Sequence, residues 1–371
     1  MRVGIDLRLP TYRMGGISQY ALHLLPALAA LEPNGDLEFI LYHSRKESRS
    51  FVPRDQPDYR RRNLWTPCHH RFERWTLGIE IVADRLDVFH SPDFIPPAWG
   101  ARRKIITIHD LNFIFYPQFL TAESRRYYLD QIQWAADTAD HISVDSHATR
   151  KDVIEILGVP EEKVTTVHLA ANTVYTDPYS TAQINESLLK YHLRPGFVLF
   201  VGTLEPRKNL PTLLQVYHRL RTERNLEVPL ILAGALGWET DEIFKTIDEL
   251  DLKTDVQHLP GLNDYELAHL YHAAGVLVTP SYYEGFGLPA LEAQHCHCPV
   301  VVSNRGSLPE IVGDQGIALD PDDQEVWVST LDRVLHDESF RMQMVDYGIK
   351  QASRFSWQST AMKTLDIYLG K

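Results

Sequence analysis

Two adjacent cations, Arg207 and Lys208, are the residues most suggestive of chemistry, and they lie in the stretch GTLEPRKN at 202–209. An apolar run precedes Gly202 and a helical pattern follows, so the cations stand in a strand-to-helix turn. Arg offers a planar fork of donors and Lys a point charge, a pair that suits a diphosphate. Cations at a helix start oppose its dipole, which favours anion binding over the alternative of a basic, solvent-facing helix start. We place Gly202 and Thr203 in the same binding turn.

A second turn carries two glutamates in the stretch EGFGLPALE at 284–292. Its glycines let backbone approach a ligand closely, and a helix start beneath such a turn binds anions readily. Pro289 suits the first turn of that helix. Glu292 would lie about one turn inside the helix, within reach of ribose hydroxyls, and Glu284 could meet sugar hydroxyls. The alternative is an ordinary turn with exposed carboxylates. The predicted binding turn comprises Gly285, Phe286, Gly287 and Leu288.

The first half of the chain carries weaker signals at the ends of predicted strands. Gly15 and Gly16 follow the first strand and precede a helix, a looser pattern than GxGxxG that also fits a flexible loop. His109 and Asp110 end another strand, where His109 could bind a sugar, tune a proton transfer, or be purely structural. Ser146 is predicted to cap the helix at 147–157 rather than to do chemistry.

Strands and helices alternate along the whole chain, and the pattern restarts in the middle. The predicted strands are 2–9, 37–43, 87–91, 104–110, 141–146 and 164–170, then 197–203, 229–234, 255–261, 275–281, 299–304 and 316–320. The predicted helices are 17–31, 121–139, 147–157, 209–223, 239–250, 263–274, 288–297 and 322–336, with 356–371 as a terminal helix. Such alternation predicts two α/β domains with doubly wound parallel sheets, joined by a linker within 172–196. Ligands bind at the carboxyl ends of such strands, so two sheets facing each other would form a shared central cleft.

The composition excludes several classes of protein. The 371-residue chain has a net charge of −12, which argues against a general nucleic-acid binder because that affinity needs Lys and Arg. Cys68, Cys296 and Cys298 form no disulfide or zinc pattern and predict reduced thiols. The start MRVGIDLRLP lacks an apolar signal region, and we find no window of about 18 apolar residues. We therefore predict a cytoplasmic protein.

Taken together, these pieces resemble the retaining glycosyltransferase family 4, whose members have the GT-B fold. The resemblance rests on the Gly15-Gly16 loop, His109-Asp110, GTLEPRKN, and the E-x7-E pair inside EGFGLPALE, in that order, and covers about residues 1–370. It implies two Rossmann-like domains: an acceptor domain at 1–175 and a donor domain at 190–355. The terminal helix 356–371 would cross back onto the first domain.

The resemblance also implies a role for each matching position. Arg207 and Lys208 would hold the donor diphosphate and stabilise the leaving group, while backbone at Gly287 and Leu288 meets phosphate or sugar. Glu292 would bind the ribose, Glu284 the donor sugar, and His109 the sugar near its reacting carbon. Gly16 would approach the phosphate, and the loop 258–261, with Gly261, would line the base. No metal or cofactor is implied, and the Asp322-Asp323 pair is predicted to open a helix instead.

The donor sugar rests on a finer resemblance. The stretches HDLNFIFYPQFLTAESRRYY and ADHISVDSHATRKDV are similar to bacterial mannosyltransferases that build surface polysaccharides, which implies GDP-mannose and a glycan or lipid-linked acceptor. UDP-glucose and UDP-N-acetylglucosamine remain alternative donors. A sugar-nucleotide epimerase and a non-catalytic sugar-nucleotide binding module remain alternative functions.

Residues 42–75 are basic within an acidic chain and interleave cations with aromatic rings. The members are Arg45, Lys46, Arg49, Arg54, Arg60, Arg61, Arg62, Arg71 and Arg74, with Phe51, Trp65, Phe72 and Trp75. Such a segment could dock peripherally on the anionic inner face of the cell membrane. The alternatives are a solvated basic loop or a wall of the acceptor site.

Overall fold

The computed structural model describes residues 1–12, 15–31, 37–119 and 122–371. The strands are β1 Arg2–Asp6, β2 Glu38–Ser44, β3 Tyr59–Leu64, β4 Leu86–Ser91, β5 Ala101–Ile108, β6 His141–Val144, β7 Val164–Thr166, β8 Val198–Val201, β9 Leu230–Ala233, β10 Val256–Leu259, β11 Val276–Thr279, β12 Val300–Ser303 and β13 Ile317–Leu319. The helices are α1 Gly16–Ala30, α2 Glu73–Ile81, α3 Asn112–Phe115, α4 Ala122–Thr138, α5 His147–Leu157, α6 Thr181–Lys190, α7 Leu210–Arg224, α8 Asp241–Glu249, α9 Asp264–Ala273, α10 Leu288–His295, α11 Leu308–Val312, α12 Gln324–His336, α13 Glu338–Ala352 and α14 Trp357–Leu369.

The chain divides into two compact units. The first comprises Met1–Leu169 with Ser356–Lys371, and the second comprises Ala170–Phe355. The sheet of the first unit has the order β3-β2-β1-β4-β5-β6-β7, and that of the second has the order β10-β9-β8-β11-β12-β13. Every strand pairing in both sheets is parallel. The prediction of two doubly wound α/β domains is confirmed.

The strands of the second unit are short and almost uniformly apolar, because helices cover both faces of the sheet. The runs VLFV, LILA and VLVT of β8, β9 and β11 are buried at every position. They pack against the apolar faces of α7 and α12, where Leu213, Leu220 and Trp327 are buried. This packing fixes the carboxyl ends of β8 and β11, from which the candidate site is built.

All twelve predicted strands are present, but the prediction missed β3. The arginines at 60–62 hide the strand pattern, and only its two ends, Tyr59 and Leu64, are buried. Tyr59 stacks on Phe39 of β2 with ring centroids 4.4 Å apart. As an edge strand, β3 leaves its central side chains partly in water, and charged residues are common on such edges. The middle of the basic segment 42–75 is therefore a strand.

The predicted helices are present with small shifts at their ends, and residue 121 of the helix predicted at 121–139 lies outside the described residues. Helices α2, α3, α6, α11 and α13 were not predicted. The expected linker at 172–196 contains α6, whose Ser180 and Gln183 form a capping box and whose Ser187 bonds His269 of α9 at 2.7 Å. These contacts place α6 within the second unit.

The terminal helix α14 belongs to the first unit. Its Tyr368 hydroxyl forms a hydrogen bond with Nδ1 of His90 at 2.7 Å, and Arg103 of β5 donates to the carbonyls of Tyr368 and Ile367. Within the described parts of the chain, no helix has the length and apolar character needed to cross a membrane.

Candidate functional site

The predicted phosphate turn forms a 3₁₀ turn, Pro206–Lys208, between β8 and α7. Arg207 donates through Nη1 to the carbonyl of Tyr283 at 2.5 Å and to Glu284 Oε2 at 2.9 Å. Its other nitrogens donate to Glu205 Oε1 at 2.5 and 3.0 Å. Lys208 Nζ donates to Glu284 Oε1 at 2.6 Å. The structure thus brings the two predicted cations together with one of the two predicted glutamates.

Glu284 is the centre of this cluster and is held as an anion. Burial alone would raise its pKa, but the charges of Lys208 and Arg207 and their hydrogen bonds lower the pKa of Glu284 to about 2. Ser281 adds a hydroxyl donor at 2.7 Å to Oε1. Two cations therefore face two carboxylates, Glu205 and Glu284, in a buried cluster with no net charge. An entering diphosphate would compete with these carboxylates for the same cations.

Glycines at the carboxyl ends of β8 and β9 let these strand ends approach each other. Gly234 has a φ of +149°, and a Cβ added there would lie 2.0 Å from the carbonyl oxygen of Gly202. Gly202 has a φ of +147°, and a Cβ added there would lie 3.5 Å from Cε of Lys208, an ordinary van der Waals distance. Thr203 is exposed at the start of the turn. The predicted Gly202 is thus favoured by its backbone conformation, whereas the close backbone approach requires glycine at 234.

Hydroxyl groups from the next βα turn hold the loop that carries Glu284. Ser307 Oγ donates to the carbonyls of Glu284 at 2.9 Å and Phe286 at 2.7 Å, and Ser303 Oγ donates to the carbonyl of Ser281 at 2.5 Å. Gly287, with a φ of +99°, precedes α10, and Pro289 lies in the first turn of that helix as predicted. The Glu284 loop is therefore rigid before any ligand arrives.

Glu292 makes a separate set of contacts from those of Glu284. It lies inside α10 and accepts a hydrogen bond from the hydroxyl of Tyr271 of α9 at 3.0 Å. Burial, helped by the nearby charge of Asp264, raises the pKa of Glu292 to about 7. The side chain therefore changes charge near neutral pH, a property common at functional sites.

The remaining predicted residues of the second unit occupy turns. Gly285 and Phe286 are buried, and Phe286 packs edge-to-face on Phe355 with ring centroids 5.8 Å apart. Leu288 begins α10. In the loop proposed to line the base, His258 Nε2 contacts the carbonyl of Gly234 at 2.8 Å, and Gly261 is exposed with a φ of +73°.

In the first unit, Gly15 caps α1 through extended backbone and Gly16 is exposed. A Cβ added at Gly16 would meet nothing within 4 Å, so the fold of the described residues does not itself require glycine there. Asp110 accepts the N–H of Asn112 at 3.0 Å and so starts the short helix α3. Ser146 caps α5 by accepting the N–H of Thr149 at 3.0 Å, which confirms the predicted capping role.

His109 lies after β5, and both of its ring nitrogens are engaged. Nδ1 is 2.6 Å from Asp145 Oδ2, and Nε2 is 2.8 Å from the carbonyl oxygen of Pro92. Burial lowers the pKa of His109, but Asp145 outweighs it through its charge and hydrogen bond, and the pKa rises to about 9. The ring also packs edge-to-face against Tyr20, with centroids 5.1 Å apart.

Sequence inspection missed several residues that support the predicted ones. Asp145, Glu205, Tyr271 and Ser307 each bond a predicted residue or its loop. Asp145 ends the strand pattern HISVDS in the same way that His109 ends KIITIHD, so a search for polar residues at successive strand ends would have found it. Tyr271 is one of many helical tyrosines and gave no signal. Asp323 accepts the N–H of Val326 at 3.2 Å as the cap of α12, which confirms that this acidic pair opens a helix.

Comparisons with known proteins agree with this architecture. Residues 14–175 match the model of Glycosyltransferase Family 4, and residues 186–351 match that of Glycosyl transferases group 1. The O-antigen chain mannosyltransferase B of Escherichia coli is 32% identical over 376 residues, covering 96% of this chain and 96% of that protein. The serotype-specific mannosyltransferase WbdA of E. coli is 30% identical over 245 residues, covering 65% of this chain and 30% of that protein.

Solved structures share the fold at low sequence identity. Sucrose-phosphate synthase from Thermosynechococcus elongatus has a TM-score of 0.78 at 20% identity, covering 100% of this chain and 98% of that one. WaaG, a glycosyltransferase involved in lipopolysaccharide biosynthesis, has a TM-score of 0.74 at 16% identity, with both chains fully covered (100%). The chain therefore belongs to glycosyltransferase family 4 and is a bacterial mannosyltransferase-like glycosyltransferase with the GT-B fold.

Proposed function

We propose that this glycosyltransferase moves mannose from GDP-mannose to a glycan or lipid-linked acceptor, with retention of configuration, during synthesis of a surface polysaccharide. The observation that carries the proposal is the buried cluster of Arg207, Lys208 and Glu284. Two cations on one rigid turn suit a sugar diphosphate. The choice of mannose is supported by the similarity over 96% of the chain to an O-antigen mannosyltransferase.

The donor binds to the second unit, Ala170–Phe355. Its diphosphate approaches Arg207 and Lys208, whose positions are fixed by Glu205 and Glu284 before binding. As the bond from the sugar to the diphosphate breaks, negative charge grows on the leaving oxygen, and preorganised cations stabilise that charge without reorganisation. When Lys208 turns to the diphosphate, Glu284 accepts hydrogen bonds from hydroxyl groups of the donor sugar.

The nucleoside end of the donor lies along α10 and the loop at 258–261. The ionised form of Glu292 accepts hydrogen bonds from the two ribose hydroxyls. The hydroxyl of Tyr271 donates to the same carboxylate and holds it in place. Backbone at Gly287 and Leu288 approaches the phosphate or sugar, since glycine leaves room for that approach. Gly202, Thr203, Gly261, Gly285 and Phe286 complete the donor surface.

The acceptor binds to the first unit, Met1–Leu169 with Ser356–Lys371. His109, with Asp110 beside it, lies at the carboxyl end of β5, where parallel sheets place ligands. His109 contacts the transferred sugar near its reacting carbon. The Gly15-Gly16 turn at the start of α1 approaches the phosphate, and the open space around Gly16 supports that role.

A thermal-shift panel of GDP-mannose, UDP-glucose, UDP-N-acetylglucosamine, an ADP-sugar and a dTDP-sugar tests the donor. At equal concentration, a ligand that binds the folded state more tightly raises the melting temperature more, because the stabilisation grows with the logarithm of its affinity. We expect GDP-mannose to give the largest shift, and slow release of GDP when the protein is incubated without acceptor. A larger shift with a UDP-sugar would assign that donor instead. A shift without any GDP release or transfer would favour the non-catalytic binding module. NMR of the product anomer tests retention.

The docking hypothesis for residues 42–75 changes in detail, because several arginines of that segment are engaged within the fold. Arg60 pairs with Glu38 at 3.2 Å, Arg62 pairs with Asp84, and Arg49 pairs with Glu47 at 2.7 Å. Their charges are therefore partly neutralised. The outer face of α2 offers a better surface, since Phe72, Trp75, Ile79 and Val82 are all exposed at helical spacing.

This α2 face combines exposed apolar side chains with stacked cations. Ile79 is 64% exposed, and the nearby Trp65 is 71% exposed. Three guanidinium carbons stack on aromatic rings. Cζ of Arg45 lies 3.7 Å from the ring centroid of Trp65, Cζ of Arg71 lies 4.5 Å from the ring centroid of Phe72, and Cζ of Arg74 lies 4.0 Å from the ring centroid of Trp75. Apolar and aromatic residues flanked by arginine are typical of helices that lie in a bilayer interface. The occupant of the face is thus an anionic lipid surface, on the inner side of the cell membrane.

Sedimentation with vesicles tests the docking. We expect binding to phosphatidylglycerol vesicles that weakens with salt, and much weaker binding to pure phosphatidylcholine. Replacing Trp75 and Ile79 together by serine should abolish binding, whereas Leu189→Ser, an exposed leucine in the second unit, should not change it. Equal binding of both variants would contradict the assignment of the α2 face.

A further inference from the structure

The ring of His109 is placed between two acceptors that cannot donate a hydrogen bond to it. Asp145 Oδ2 lies 2.6 Å from Nδ1, and the Pro92 carbonyl oxygen lies 2.8 Å from Nε2. A neutral imidazole has one donor and one acceptor nitrogen, so one of these contacts would face a lone pair. The imidazolium donates through both nitrogens and satisfies both acceptors. With Asp145 ionised, the geometry therefore favours the doubly protonated ring. Burial raises the pKa of Asp145, and the charge and hydrogen bond of His109 oppose that rise.

Asp145 has a further feature that a purely structural ion pair would not need. Its second oxygen, Oδ1, is buried and has no hydrogen-bond partner among the described residues. A buried carboxylate oxygen without a donor is costly unless a charge compensates for it. The His109 cation supplies that charge, and a water or substrate hydroxyl can supply the missing donor.

Other charged and titratable groups near the pair come from several elements. The charge of Asp93 raises the pKa of His109. Burial, together with the positive charge of His109, lowers the pKa of His90 to about 3. Burial raises the pKa of the Tyr20 phenol well above its ordinary value, which keeps it neutral. The groups that face the His109–Asp145 pair are Tyr20 from α1, His90 and Asp93 at the end of β4, Asp110 after β5 and His168 after β7.

We infer that Asp145 is a positioning residue that keeps His109 as a fixed imidazolium, so that His109 acts in transfer as a cation and hydrogen-bond donor rather than as a base. The inference rests on the proposed function only in placing His109 beside the transferred sugar. A fixed positive charge there stabilises negative charge on the departing diphosphate and donates to sugar oxygens. No proton leaves His109 during the reaction in this role.

The first test is the ring titration of His109 followed by NMR, which needs no substrate. In the wild-type protein the ring should stay protonated through pH 8. Removing the opposite charge in Asp145→Asn should lower the pKa by about 1–3 units. Asp145→Glu, which keeps the charge, should restore most of the wild-type value. Asp366→Asn, an exposed carboxylate of α14, is the matched control and should change nothing. An unchanged titration in Asp145→Asn would overturn the inference.

The second test is the pH dependence of kcat. If the pKa falls by about two units, roughly a tenth of Asp145→Asn is protonated at pH 8, so kcat should be about tenfold lower there and recover near pH 6. A kcat that is reduced equally at both pH values would show a merely structural role and overturn the inference. If no donor supports transfer, the proposed function fails while the NMR titration still decides the charge state of His109.

Discussion

The two units hold their charged side chains in different ways. In the second unit, Arg207 and Lys208 come from the turn after β8 and Glu284 from the turn after β11, 76 residues from Lys208, and together with Glu205 they form a neutral buried cluster. In the first unit, His109 and Asp145 come from the ends of two neighbouring strands, 36 residues apart, and only one cation faces one carboxylate. Both arrangements therefore exist only once the sheets have formed, and they differ in the charges that meet: four in the second unit and a single pair in the first.

This difference has a consequence for substrate binding. In the neutral cluster of two cations and two carboxylates, a diphosphate that draws Lys208 away leaves Glu284 with other donors, because Glu284 also accepts hydrogen bonds from Arg207 and Ser281. In a single buried His–Asp pair, either side chain that turned to a ligand would leave the other charge unpaired, and an unpaired buried charge is strongly unfavourable. The second unit is thus suited to bind and release a charged ligand, and the first-unit pair to keep a fixed charge.

Lys208→Ala should give the largest effect. Loss of this cation should lower kcat by about 10²–10³-fold, as for removal of one preorganised donor, and should weaken binding of the sugar nucleotide. Glu284 keeps Arg207 and Ser281 as partners, so the fold should survive. Steady-state kinetics and donor affinity measure the effect, with thermal unfolding as a check. Lys253→Ala, an exposed lysine of the same unit, should behave as wild type. Unchanged donor affinity in Lys208→Ala would break the assignment of the donor side.

Gly234→Ala should come next, as a loss of stability. The added Cβ would meet the Gly202 carbonyl oxygen at 2.0 Å, so β8 and β9 must move apart. We expect a loss of about 3 kcal/mol in the free energy of unfolding, at the upper end for overpacking. Gly261→Ala, also at positive φ but in open space, should lose only about 1–2 kcal/mol from backbone strain. Urea unfolding of both variants separates the clash from the strain, and equal losses would contradict the close approach.

Glu292 should make donor affinity depend on pH. Burial raises its pKa to about 7, so the carboxylate is protonated below that pH and accepts ribose hydroxyls less well. Affinity for GDP-mannose should therefore fall about tenfold from pH 8 to pH 6, by linkage of one proton. Glu292→Gln should bind more weakly at pH 8 and show no pH dependence in this window. Calorimetry at several pH values measures this, and a flat wild-type profile would exclude Glu292 from ribose binding.

Gly16→Ala should have the smallest effect on the fold. No described atom lies within 4 Å of the added Cβ, so the free energy of unfolding should change by no more than about 0.5 kcal/mol. Donor affinity should nevertheless fall by a few fold, because the proposed phosphate approach needs that space. Gly4→Ala in the same unit is the contrast, since its Cβ would lie 2.7 Å from side-chain atoms of Leu86 and Tyr42. Unaltered affinity in Gly16→Ala would remove this turn from the donor site.

The sequence predicted the elements whose signal is local. Apolar runs identified every strand except β3, where three arginines occupy an edge position that tolerates charge. Helix α13 was missed because most of its side chains remain at least partly exposed, so it lacks a clear apolar face. For the site, GTLEPRKN and EGFGLPALE named the residues of the cation cluster. These two motifs could not show that Glu284 pairs with Lys208, because the pairing depends on β8 and β11 being neighbours in the sheet.

By itself, the sequence determined the two-domain α/β fold, the family and the two turns that carry Arg207, Lys208 and Glu284, which we propose to bind the donor. Each of these signals lies within a short stretch of sequence: the apolar periods of strands and helices, the glycine turns, and the charged residues beside those turns. The tertiary structure alone decided which polar side chains form hydrogen bonds: Glu284 with Arg207 and Lys208, Glu292 with Tyr271, and His109 with Asp145. Burial and neighbouring charge set the protonation of these groups, and both properties arise only when distant strand ends come together.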